Sequence, residues 1–129
     1  ESIRNFEKHL AENGTSVIKI FLHISKDEQK KRFIDRIDEQ EKNWKFSMGD
    51  LPERALWDQY MSAYEEAINE TSKDYAPWFV IPADDKWFAR VAAIQIIIDA
   101  LEDMKLKFPK LSEADQKELA SAKKQLENE

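Results

Sequence analysis

Two runs of residues, 15–24 (Thr-Ser-Val-Ile-Lys-Ile-Phe-Leu-His-Ile) and 78–81 (Trp-Phe-Val-Ile), are rich in β-branched and aromatic side chains and nearly continuous in apolar character. A strand with one wet face alternates apolar and polar residues. A strand covered on both faces reads as these do. A long stretch of helical periodicity separates the two runs, which excludes a tight hairpin. The strands are therefore predicted to lie parallel, joined by a right-handed crossover. Two strands are too few for a complete doubly wound sheet, because its open edges would invite mispairing. The expected fold is α/β and helix-dominated, with a partial parallel sheet of about two strands and several long helices. The missing strands are expected from residues upstream or from another chain.

The helices follow from spacing and punctuation. Ile3, Phe6 and Leu10 predict a first helix over 3–11, stopped at Asn13-Gly14. Ser25 and Glu28 have the spacing of a reciprocal capping box, opening a helix that runs to about Gln40 with Phe33, Ile34 and Ile37 on its apolar side. Residues 41–49 form a connection. A single helix is expected from Asp50, with Pro52 in its first turn, to Thr71 or Ser72. Its Trp57, Tyr60 and Tyr64 are expected in the core, with Met61 and Ile68 on the same face. Pro82 closes the second strand, and a helix from about Asp85 to Met104 follows. That helix carries a stripe of Trp87, Phe88, Val91, Ile94, Ile98 and Leu101 and is expected to be buried along most of its length. Ser112 then caps a polar helix from Glu113 to about Leu126.

Composition narrows the function classes. The net charge of -6 and the pI near 5.1 argue against a general nucleic-acid binder. The absence of Cys excludes disulfides and thiolate metal sites and accords with a reducing, cytoplasmic setting. The longest strongly apolar stretch, 91–98, is far short of the roughly 20 residues a bilayer span needs. The chain opens on Glu1, so a native start upstream is expected. It holds only 2 Gly, far apart, so no glycine-rich phosphate loop can be written.

Three constellations could carry chemistry. Lys30, Lys31, Arg32, Arg36, Lys42 and Lys45 cluster along the capped helix and the segment after it. Arg32 and Arg36 are four apart and share a helix face, so their guanidiniums could grip an oligophosphate. Glu28, Asp35, Asp38 and Glu39 are equally near, and spacing alone favours an ordinary solvated face. Residues 43–47 (Asn-Trp-Lys-Phe-Ser) could close over a substrate or anchor the loop to the core. Residues 82–87 lie at the C-terminal end of a strand, where open α/β sheets bind ligands. There Asp84 is first of all expected to cap the next helix. Lys86 in a first helical turn opposes the helix dipole, which suggests a functional or tertiary reason for it. His9 and His23 lack metal-ligand spacing, and His23 is expected to be a satisfied sheet residue.

Taken in order, Phe-Leu-His-Ile-Ser (21–25), Glu-Gln-Lys-Lys-Arg-Phe (28–33), Lys-Asn-Trp-Lys-Phe-Ser (42–47), Trp-Asp-Gln-Tyr-Met-Ser-Ala-Tyr-Glu (57–65), Ala-Pro-Trp-Phe-Val-Ile-Pro-Ala-Asp (76–84) and Lys-Trp-Phe-Ala-Arg (86–90) resemble the polyphosphate kinase 2 family. The resemblance covers about residues 3–101. It implies a P-loop-kinase-like fold that moves phosphoryl groups between inorganic polyphosphate and AMP-, ADP- or ATP-type nucleotides with Mg2+. It also implies that the family's Walker A loop and Walker B-like segment lie upstream of the matched region, with no counterpart here. Residues 1–108 would be the C-terminal part of such a domain, with 25–73 as its lid region and 109–129 as a helical tail. By that analogy Arg32, Arg36, Lys45 and Arg54 become candidates for polyphosphate contacts, and Asp50, Asp84 and Lys86 for the nucleotide side. Mg2+ would be held mainly by residues absent from this sequence. The chain is then expected to be a C-terminal fragment of a homo-oligomeric phosphotransferase, inactive alone. The alternative is a non-catalytic helical binding or assembly module.

Overall fold

The computed structural model describes residues 1–128. The chain divides into two units, Glu1–Ile98 and Asp99–Glu129. The elements run α1 (Ser2–Glu12), β1 (Lys19–His23), α2 (Lys26–Asp38), a 3-10 helix (Gln40–Lys45), α3 (Asp50–Ala55), α4 (Trp57–Thr71), β2 (Trp78–Pro82), α5 (Lys86–Asp103) and α6 (Glu113–Leu126). The two strands pair parallel, with Lys19 opposite Trp78 and His23 opposite Pro82. This is the helix-dominated, two-stranded parallel arrangement that the apolar runs predict.

That register sorts side chains by face. Ile20, Leu22, Phe79 and Ile81 share one face, since successive residues of a strand alternate. Ile81, Ala83 and Ala89 form the buried core there, and Ile20, Ile24, Ala92, Ala93 and Ile96 pack against it. On the other face Phe21 lies against Tyr64 of α4, with ring centroids 4.8 Å apart. Trp78 Nε1 donates to Thr71 Oγ1 at 2.8 Å. Lys19 Nζ donates to Glu7 Oε2 of α1 at 2.6 Å and to Thr71 O at 2.7 Å, which pins α1 and the end of α4 to β1.

Four expectations about these elements are corrected. The strands are not covered on both faces: Leu22 is 54% and Val80 52% exposed. A two-stranded sheet is too narrow to shelter them. For the same reason α5 is not buried along most of its length. Its narrow alanine face meets the sheet, and the wide stripe of Trp87, Phe88, Val91, Ile94 and Ile98 is exposed. Tyr60 and Tyr64 are likewise exposed rather than core, and Trp57 is half-buried. Finally, the single helix expected from Asp50 is two. It breaks at Leu56, whose backbone leaves helical geometry at φ -88, ψ 19.

Local punctuation holds where sequence spacing is strongest. Gly14 follows α1 with φ +82, a conformation that costs glycine nothing. Within the second unit, Ser112 and Asp115 complete a reciprocal capping box at the start of α6. Among the described residues no helix is long and apolar enough to cross a membrane.

Candidate anion-binding site

Parallel pairing brings the C-terminal ends of both strands to one side, so the starts of α2 and α5 are neighbours. Two side chains fasten them together. Asp84 Oδ1 accepts the Ser25 N–H at 2.7 Å. Arg32 donates through Nη2 to Ala83 O at 2.7 Å and to Asp84 O at 3.4 Å, and through Nε to Glu28 Oε1 at 2.7 Å. The capping box read from Ser25 and Glu28 is thus only half made. Ser25 Oγ accepts the Glu28 N–H at 3.0 Å, but the Glu28 carboxylate turns to Arg32 and Asp84 takes the Ser25 amide instead. Asp84 does not cap α5. Asp85 does, its Oδ1 accepting the Trp87 and Phe88 N–H groups at 2.8 and 3.0 Å.

The backbone amide of Ser25 holds the Asp84 carboxyl below its ordinary pKa, with the positive charge of Arg32 adding to the effect. A depressed folded pKa means the contribution of Asp84 is fully present above the ordinary carboxylate value and is lost as pH falls through the lowered one. Asp84→Asn is therefore expected to lower the urea midpoint at neutral pH. The gap to the wild type should close only in strongly acidic solution, below the range where free aspartates titrate.

Beside this tie lies a cleft of about 250 Å³ lined by Arg32, Asp35, Arg36, Lys42, Lys45 and Lys86. It gathers five cationic side chains and one carboxylate in a chain of net charge -6. Helix α2 supplies the first three at helical spacing, the 3-10 helix supplies two lysines, and the first turn of α5 supplies Lys86. The guanidinium of Arg36 lies 5.6 Å from the Phe33 ring. Lys45 Nζ lies 5.1 Å over Trp44, which is itself 79% exposed. Phe46 instead packs edge-on against Phe33 at 5.9 Å, so one aromatic of the loop anchors it and the other stays outside. Lys42 pairs with Glu39. Lys86 makes no ion pair among the described residues. Its unfavourable place in a first helical turn is offset if an anion sits in this cleft.

The other candidates lie elsewhere. Asp50 and Arg54 line a separate cleft of about 200 Å³ with Gln29, Phe33, Trp57 and Tyr60. Arg54 Nη1 is spent on Lys26 O and Gln29 Oε1, both at 2.8 Å. The Asp50 carboxylate accepts the Ser47 N–H at 3.4 Å. In the same cleft the Tyr60 hydroxyl donates to the Glu53 carboxylate, which raises the Tyr60 pKa. The structure therefore groups Lys86 with Arg32, Arg36 and Lys45, and keeps Asp50 apart from Asp84. Lys42 and Asp35 complete the basic cleft although neither stood out singly. The density of basic residues after Ser25 is the signal that points to Lys42. His23 is exposed at the end of β1, its ring 5.7 Å from Phe21.

Among the described residues no three His, Cys, Asp or Glu side chains converge as a metal site. The basic cleft offers one carboxylate, Asp35, which does not fit a protein-held Mg2+.

A family model described as polyphosphate kinase 2 (PPK2) matches residues 1–109. The chain is 54% identical over 129 residues to an uncharacterized protein in the chlN 3' region of Leptolyngbya boryana, spanning 95% of that protein. It is 54% identical over 125 residues to an ADP-polyphosphate phosphotransferase of Rhodopseudomonas palustris, of which those residues make up 43%. The crystal structure of polyphosphate kinase 2 from Arthrobacter aurescens TC1 superposes with a TM-score of 0.83 at 49% identity, over 94% of this chain and 44% of that one.

Proposed function

Because this chain belongs to the polyphosphate kinase 2 family, we propose that its basic cleft is the anion-gripping part of a phosphotransferase acting between inorganic polyphosphate and nucleoside mono- or diphosphates. The observation that carries this reading is the convergence of Arg36, Lys42, Lys45 and Lys86 at the C-terminal end of a parallel sheet. Phosphoryl transfer asks a protein for positioning and for neutralisation of the charge spread over the transferred group. The guanidinium of Arg36 can hold two phosphate oxygens at once, and the lysines can follow neighbouring phosphates as point charges. Arg32, already bonded to the backbone at Ala83 and Asp84, fixes the wall of the cleft and is a positioning residue. Asp84 fixes the same wall from the other side.

The 129 residues encode no glycine-lined loop to hold a nucleotide's phosphates. The chain assayed alone is therefore expected to bind polyphosphate without forming ATP from polyphosphate and ADP. Titration with a short oligophosphate by calorimetry tests the binding. Affinity should fall steeply between low and physiological salt, as released counterions require. Binding that is absent at low salt would remove the cleft from the mechanism and favour a module whose exposed apolar α5 stripe serves assembly only.

A further inference from the structure

The loop beside the basic cleft keeps one large ring in water although the chain on either side of it is fastened. Asn43 Nδ2 donates to the carbonyls of Arg36 and Ile37 at 2.8 and 2.7 Å, which ties the 3-10 helix to the last turn of α2. Phe46 closes the other side by packing edge-on against Phe33 at 5.9 Å. Trp44 lies between these two anchors and is still 79% exposed, whereas Trp57 and Trp78 are half-buried. The indole is therefore held outside by the backbone around it. A tryptophan left in water forgoes one of the largest burials a side chain can contribute. Its position supplies a use. Lys45 Nζ, one of the cations that line the cleft, lies 5.1 Å over the Trp44 ring, so the indole and the anion site share one ammonium. Among the described residues no aromatic ring packs on Trp44, and most of its surface is open to a ligand.

Bare inorganic polyphosphate has no group that an indole can recognise. A nucleotide has one, because every base presents a π-face that stacks on an aromatic side chain. We propose that Trp44 is a stacking platform for the base of a purine nucleoside di- or triphosphate whose phosphate chain lies in the basic cleft. The two fused rings of a purine cover more of the indole than the single ring of a pyrimidine. One ribose separates the base from its first phosphate, so a base seated on Trp44 presents that phosphate to Lys45 and the next ones to the neighbouring cations. A bare oligophosphate uses the same cations without the ring, and the two ligands therefore compete. The inference rests on the cleft being an anion site. It adds a residue by which that site tells a nucleotide from a bare phosphate chain.

The experiment titrates the full chain with ATP and, separately, with tripolyphosphate at low salt, in the wild type and in Trp44→Ala. Loss of the indole is expected to weaken ATP binding about tenfold, within the range that stacking on an aromatic side chain supplies. Tripolyphosphate affinity should change less than twofold. Trp44→Phe should restore most of the ATP affinity, because a smaller π-face remains. In the wild type ATP should bind more tightly than CTP, and that preference should vanish in Trp44→Ala. Tripolyphosphate should displace ATP from the wild type. An equal loss for both ligands would make Trp44 a mere support for Lys45 and overturn the proposal. So would an unchanged ATP affinity, or ATP binding that tripolyphosphate does not displace. If tripolyphosphate fails to bind at all, the anion reading of the cleft falls and this inference with it. If tripolyphosphate binds and ATP shows no dependence on Trp44, this inference falls alone.

Discussion

Glu7→Ala is expected to destabilise the first unit by about 3 kcal/mol, the lower end of the cost of breaking a buried ion pair. The Glu7 and Lys19 side chains are only 10% and 12% exposed. Lys19 Nζ has two acceptors, Glu7 Oε2 at 2.6 Å and the Thr71 carbonyl at 2.7 Å, and lies 5.5 Å over the Trp78 ring. Removing the carboxylate leaves an ammonium shut away from water with a single carbonyl. Urea denaturation followed by tryptophan fluorescence would show the midpoint fall. A double replacement, Glu7→Leu with Lys19→Met, should recover most of the loss, because two apolar side chains of similar volume leave no charge unpaired. If the single variant is as stable as the wild type, the pair does not organise the contact of α1 with the sheet.

The second large effect concerns binding. Each charge-assisted hydrogen bond to phosphate contributes roughly 1.5 kcal/mol, about tenfold in affinity. Removing Arg36, Lys45 and Lys86 together is expected to weaken oligophosphate binding on the order of a thousandfold and to flatten its salt dependence. Stability should hardly change, since Lys45 and Lys86 are exposed and Arg36 makes only a ring contact. Arg32→Ala should behave in the opposite way. It removes the bonds to Ala83 and Glu28 and should lower the urea midpoint more than it lowers affinity. A triple variant that binds as the parent does would exclude the cleft as the anion site.

The strands and the helix after Ser25 were legible because their signals are local: β-branched runs for the sheet, a serine cap and 3.6-residue spacing for α2. The break at Leu56 was not legible, because residues 50–71 carry an unbroken helical pattern with no glycine, and proline only in its first turn. Nor was the exposure of α5. Its apolar stripe reads as core in any sequence, and only the width of the sheet decides how much of it is covered. In the site, Arg32 and Arg36 look alike in spacing, yet one is spent on backbone carbonyls and the other faces the cleft. Whether a guanidinium finds a carbonyl depends on the loop after β2, fifty-one residues along the chain. Lys86 could be paired with the basic cluster only through the parallel register, which no local pattern encodes.

The fastening of Ser25 to Asp84 has a consequence for how an anion would enter. Donor and acceptor follow different strands, so the mouth of the basic cleft is preorganised by the sheet itself. A guest arriving there need not freeze a mobile segment, and that ordering entropy is not charged against its affinity. Capture should then proceed at the pace of electrostatic encounter, with the ionic atmosphere setting the rate.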